Sequence, residues 1–76
     1  MLKELIEHIV KHLVEKSDQV SISERIESGK TILEIAVDAQ DRGRVIGKEG
    51  QTIRAIRMMI GAITPIDKEI QVVLAE

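Results

Sequence analysis

A chain of 76 residues with a net charge of −2 and no Cys predicts one small domain spanning residues 1–76, with no disulfide staple and no Cys-based zinc framework. The absence of Phe, Trp and Tyr excludes nucleic-acid recognition by ring stacking, which elsewhere supplies about 1–3 kcal/mol per base. No apolar run approaches the roughly 18 residues of a membrane span, and Met1-Leu2-Lys3-Glu4-Leu5 alternates charge with apolar residues where a secretion signal would be continuous, so a soluble, cytoplasmic protein is expected.

Leu2, Leu5, Ile6, Ile9 and Leu13 follow helical spacing, widened by Val10 and Val14, and predict an amphipathic helix from Leu2 to about Glu15. Glu7 and Lys11 form a favourable i, i+4 pair on its outer side. Ser17-Asp18-Gln19 breaks the pattern, and Val20, Ile22 and Ile26 then alternate with Ser21, Ser23 and Arg25 as in a half-buried strand. Glu24 falls on the apolar side of that strand, which predicts a bulge or a strand end open to solvent. Glu27-Ser28-Gly29-Lys30 is a hairpin turn, and Thr31 to Val37 returns as a second strand. Leu33, Ile35 and Val37 form one face of it; Ile32, Glu34 and Ala36 form a partly polar other face, as in a sheet covered by helices on one side only.

Asp38 is placed to cap a short helix from about Ala39 to Ile46, with Asp41 adding negative charge near its positive end. Gly43 inside this helix costs up to about 1 kcal/mol relative to Ala, so either packing against the sheet or a bound nucleotide is expected to approach it closely. From Gln51 to Ile63 a stripe of Ile53, Ile56, Ile60 and Ile63 predicts another helix, ended by Thr64-Pro65. Asp67 to Ala75 completes the chain as a third strand. The order is α-β-β-α-α-β. A short hairpin makes the first two strands antiparallel, and a right-handed crossover through the helix pair makes the second and third parallel.

Charge is distributed unevenly along this order. Residues 1–41 carry five basic and nine acidic groups, residues 58–76 one and three, whereas residues 42–57 carry five basic groups (Arg42, Arg44, Lys48, Arg54, Arg57) against Glu49 alone. The centre of the basic segment is Gly47-Lys48-Glu49-Gly50, between two helical patterns. Glycines tolerate positive φ and admit another molecule close to the main chain, and Gly50-Gln51 opens a helix whose first N–H groups lack internal acceptors and attract anions. Lys48 at the tip makes phosphate the natural ligand. Gly43 to Gly47-Lys48 is one residue short of a nucleotide P-loop, and Glu49 stands where its Mg²⁺-binding hydroxyl belongs, so that reading is rejected.

Val45-Ile46-Gly47-Lys48-Glu49-Gly50-Gln51-Thr52-Ile53 resembles the VIGxxGxxI signature of the KH domains, single-stranded nucleic-acid binders whose GxxG loop clamps a sugar-phosphate backbone. Together with the element order, the length and Asp41-Arg42-Gly43-Arg44, the chain is similar to the small stand-alone bacterial KhpA-like group. That resemblance implies a type II KH fold, an α+β mixed three-stranded sheet with helices packed on one face. It implies a grip on about four nucleotides of single-stranded RNA by Arg44, Val45, Ile46, Gly47, Lys48, Glu49, Gly50, Gln51, Ile53, Arg54 and Arg57. It implies further a role as post-transcriptional regulator or RNA chaperone, exercised as a homodimer or as a heterodimer with another KH-containing RNA-binding protein. Glu49 subtracts from the positive field of the loop and predicts a weaker phosphate grip than Lys or Gly would give.

Two other function classes remain open at this point. The exposed apolar positions Met58 and Met59 suit a protein-docking module that needs no nucleic acid, and Arg54 and Arg57 suit a helix-turn-helix reader of duplex DNA. Catalysis is not expected, since Ser17, Ser21, Ser23 and Ser28 have no base partner in the pattern. His8 and His12 at i, i+4 lack a third ligand, so neither metal nor cofactor is expected.

Overall fold

The computed structural model describes residues 2–76. Met1, the first residue of the stretch read as lacking a secretion signal, lies outside the described residues. The elements run α1 (Leu2–Leu13), β1 (Ser21–Glu27), β2 (Lys30–Ala36), α2 (Arg42–Ile46), α3 (Gln51–Ile63) and β3 (Ile70–Leu74), with 3₁₀ turns at Ser17–Gln19, Ala39–Asp41 and Lys48–Gly50. The sheet order is β1-β2-β3, with β1 antiparallel and β3 parallel to the central β2. This is the expected α+β arrangement of a type II KH fold.

Directly opposed residues in a ladder share a face. The pairs Ile22↔Ile35, Leu33↔Val72 and Ile35↔Leu74 therefore define one face, and Arg25↔Ile32 and Glu34↔Val73 the other. The buried core takes Ile22, Leu33, Ile35 and Val72 from the first face and joins them to Ile6 and Val10 of α1, Val45 of α2, and Ile53, Ile56 and Ile60 of α3. All three helices thus pack on one side. On the open face Ile32 is nonetheless 8% exposed, opposite Arg25, whose guanidinium is held by Glu27 at 2.7 Å and by Glu34.

The hairpin closes through Ser28 and Gly29, both at positive φ (52° and 81°), the signature of a two-residue loop matched to strand twist. No bulge interrupts β1, whose register runs unbroken from Ser21↔Ala36 to Glu27↔Lys30. Glu24 sits in mid-strand opposite Leu33 and stays on the helix face as an exposed residue lining an open trough with Leu33 and Ile70, so neither the bulge nor the strand end is realised; the trough, open to solvent, accommodates the charge.

Three element boundaries differ from expectation by two residues or more, each for an identifiable reason. α1 stops at Leu13, before Glu15, because the amides of Glu15 and Lys16 donate to the Asp41 carboxylate instead of extending the helix. The helix expected from Ala39 begins as a 3₁₀ turn: Asp38 accepts from the Gln40 amide at 2.9 Å and the Asp41 amide donates to the Asp38 carbonyl at 2.8 Å. β3 starts at Ile70, since Pro65 to Lys68 closes a turn (Lys68 amide to Pro65 carbonyl, 3.0 Å) and pairing with β2 begins only at Thr31↔Ile70. Among the described residues no helix is long and apolar enough to cross a membrane.

Candidate nucleic-acid interface

α2 and α3 meet at the glycine turn. The Gly47 amide donates to the Gly43 carbonyl at 2.8 Å, closing the last turn of α2, and the chain then reverses through φ 76°, ψ 173° at Gly47. Glu49 (φ 56°) and Gly50 (φ 76°) are both left-handed, and the Gly50 amide returns to the Gly47 carbonyl at 3.1 Å. α3 begins at Gln51 with no side chain capping its first turn, so the amides there face the loop without a side-chain acceptor. Lys48 and Glu49 are exposed and the glycines half-buried.

The two glycines are needed to different degrees. A Cβ on Gly47 would lie 2.2 Å from Thr52 Oγ1 and 2.8 Å from the Thr52 backbone nitrogen, whereas one on Gly50 would meet only Arg54 Nη1 at 3.2 Å. Thr52, absent from the sequence-derived site, is therefore the residue that locks the two helices at the turn. The Arg54 guanidinium lies alongside Gly50, bringing a cation to the loop. Gly43 has nothing within 4 Å of the place its Cβ would take, so the expected close packing against the sheet does not exist; its missing side chain leaves open space one helical turn before Gly47.

The eleven residues assigned to the grip fall into distinct environments. Lys48, Glu49 and Gln51 are exposed on the turn, and Ile46 is 36% exposed beside it. Val45 is 0% and Ile53 8% exposed. Val45 therefore offers no surface to a ligand, because a five-residue helix turns that position inward to reach the core; Ile53 is anchored the same way on α3. Arg57 is exposed on α3 and donates from Nε to the Val72 carbonyl at 3.0 Å. Since Thr31 and Ile35 exchange their parallel-ladder bonds with Glu69 and Ala75, backbone polarity alternates and the Val72 carbonyl points off the free edge of β3. Arg57 thus links α3 to that edge.

Arg44 is paired within the fold. Its Nη2 bonds Glu15 at 2.6 Å and its Nε stands 3.4 Å from Asp41 Oδ1, so its charge is already engaged by two carboxylates, although half its side chain faces solvent. Asp41, read from sequence as a helix-dipole residue, is 2% exposed and receives the amides of Glu15 (3.2 Å) and Lys16 (3.0 Å). The Lys16 amide foremost, then burial acting in the opposite sense, then the Glu15 amide and Arg44, leave its carboxyl below the usual aspartate range. Its partners lie 25 and 26 residues away, and no local pattern announces them. Arg42 is half-buried, with its Nε shielded and without a hydrogen-bond partner among the described residues. His12 donates from Nδ1 to the His8 carbonyl at 2.8 Å, and no group of three metal-capable residues occurs among the described residues.

The arrangement therefore offers main-chain amides without side-chain acceptors, those of Gly50 and Gln51 turned back onto the Gly47 and Lys48 carbonyls, one left-handed non-glycine residue (Glu49), and the cations Lys48 and Arg54 around one exposed turn. Chemically this suits a phosphodiester. The family model described as KhpA/KhpB, KH domain, matches residues 3–74. The RNA-binding protein KhpA of Thermotoga maritima is 38% identical over 71 residues, 93% of this chain and 95% of that protein. KhpA of Streptomyces coelicolor is 43% identical over 63 residues (83% and 80%), and KhpA of Borreliella burgdorferi 48% over 59 (78% and 72%), both likewise RNA-binding proteins by name. No solved structure matches.

Proposed function

The chain belongs to the KhpA/KhpB family of KH domains, and from that premise we propose that it binds single-stranded RNA, as one KH domain, through the Gly47–Gly50 turn. The observation that carries this is the turn itself: two positive-φ glycines bring the main chain to the surface beside Lys48 and Arg54, ahead of an α3 with no side-chain cap. The loop amides and Lys48 receive phosphates, Arg54 and Arg57 steer the strand, and Ile46 contributes the exposed aliphatic edge. About four nucleotides fit such a grip. No catalysis is assigned to it, and the setting is the cytoplasm.

With a single short site, affinity is modest, and a second copy of the chain or another KH-containing RNA-binding protein raises it by effective concentration. Met58 (75% exposed), Met59 (46%) and Ile63 (53%) on α3 support such a protein contact alongside RNA, as a regulator or RNA chaperone would need.

The test is fluorescence anisotropy on single-stranded RNA with the double variant Lys48→Asp, Glu49→Asp. Binding is expected to disappear with far-UV circular dichroism unchanged; an affinity equal to that of the parent protein refutes the grip. For the parent, log K falls against log salt with a slope near −0.7 per phosphate engaged, and duplex DNA competes poorly; strong competition by duplex favours the helix-turn-helix reading instead.

A further inference from the structure

Among the described residues Asp41 is the one charged side chain in the buried set. Burying a carboxylate is justified by stability alone only weakly, since an apolar residue of similar volume often serves as well. What a carboxylate adds is direction. Oδ1 takes the Glu15 amide and Oδ2 the Lys16 amide, so the chain leaving α1 is pinned at two adjacent points. Arg44 doubles the pin by bonding Glu15 at 2.6 Å while facing Asp41, and Lys16 Nζ reaches Asp38 at 3.6 Å. Segments 15–16 and 38–44 are thereby joined by a set of polar links around one buried acid.

α2 starts at the residue after Asp41 and ends at the residue before Gly47. Five residues are far too few to hold a helix unaided, so its placement comes from outside: Val45 in the core fixes its depth, and Asp41 fixes its start. Any tilt of α2 is passed to the turn without slack, because Gly47 packs on Thr52 closely enough that even a methyl group finds no room. We infer that Asp41 is a positioning residue for the Gly47–Gly50 loop, its carboxylate using the α1 exit as an anchor to set the angle at which α2 delivers Gly47. The inference rests on the RNA-binding reading of that loop for its consequence, and on geometry alone for its mechanism.

Asp41→Asn keeps the shape and removes the second anionic acceptor. In the RNA-free protein, amide exchange at Glu15, Lys16 and Gly47 to Thr52 is expected to quicken about tenfold, the equivalent of one lost charge-assisted hydrogen bond, with Leu33, Ile35 and Val72 unchanged. On a fluorescein-labelled single-stranded RNA 12-mer of mixed sequence, at a temperature where circular dichroism shows both proteins folded, Kd is expected to rise about tenfold. Ile22→Val, which loosens the core on β1, is the comparison: a purely structural loss leaves the Kd of folded protein unmoved. If Asp41→Asn does not fold, Glu15→Gln weakens the same tether from its solvent side and is expected to give a smaller change at the same amides.

Loop amides exchanging as in the parent, or quickening no more than the sheet, overturn the inference, as does an unchanged Kd when the parent binds. A parent that binds no RNA overturns the functional reading instead, and the exchange measurement still decides the role of Asp41.

Discussion

Gly47→Ala perturbs the turn where sequence tolerance is smallest. Two separate penalties act on the added methyl group. The backbone sits at φ 76°, ψ 173°, a region essentially confined to glycine, where another residue carries about 1–3 kcal/mol of strain. The Cβ would also lie 2.2 Å from Thr52 Oγ1, 2.7 Å from Thr52 Cβ and 2.8 Å from the Thr52 nitrogen, an overpacking of about 1–3 kcal/mol. Together these reach about 2–6 kcal/mol, against a total stability of about 4–11 kcal/mol for a domain of this size. Thr52→Ala cannot relieve the clash, because the Cβ and backbone nitrogen remain. The loop is therefore expected to abandon its geometry, lowering the melting temperature by about 4–8 °C for each kcal/mol retained and weakening single-stranded RNA binding at least about tenfold. Gly50→Ala, whose only neighbour is the end of the flexible Arg54 side chain, carries about 1–2 kcal/mol and a smaller loss on both measures. Thermal melts by circular dichroism and anisotropy titrations read the pair. A Gly47→Ala protein with parental melting and affinity, or one less damaged than Gly50→Ala, refutes the reasoning.

Glu49→Gly relieves a left-handed residue (φ 56°) and removes the loop's negative charge, so anisotropy should show RNA held about threefold tighter at 0.1 M salt; weaker binding would mean that the carboxylate makes a helpful contact. Gly43→Ala meets only open space and should raise the melting temperature by up to about 4–8 °C while lowering RNA affinity. Unchanged affinity removes that space from the ligand's path. Asp41, with its carboxyl held below the ordinary value, contributes stability that is fully present above about pH 4 and lost as pH falls through its folded value. The stability gap between the parent and Asp41→Asn in urea titrations should therefore narrow from pH 7 towards pH 3, and a constant gap counts against the assignment.

Features governed by near neighbours were legible in the chain. The isoleucine stripe of α3, the Ser28-Gly29 hairpin, the Gly47–Gly50 turn and the parallel return of β3 all follow from spacing within a few residues or from the length of a connection. Long-range polar contacts were not legible. Asp41 looked like an ordinary first-turn acid, yet its partners are amides at the far end of α1, and the same contact moved the end of that helix. The pairing of Arg44 with Glu15 was equally invisible, 29 residues away in the chain. Val45 shows the limit of a motif: its pattern names a position, while only the packing of a five-residue helix says which way the side chain points. Gly43 was readable only as a choice between a crowded sheet neighbour and room for a nucleotide, and the structure removes the first.

Among the described residues the buried apolar side chains are Ile, Val and Leu alone, and the sequence contains no ring larger than imidazole or pyrrolidine. Such a molecule is almost dark at 280 nm and emits no fluorescence of its own, so any near-ultraviolet signal from a mixture belongs to the nucleic acid. Unstacking of bases as a strand is gripped can then be followed directly, and branched methyl groups distributed through the interior provide spectroscopic reporters on the protein side without a label.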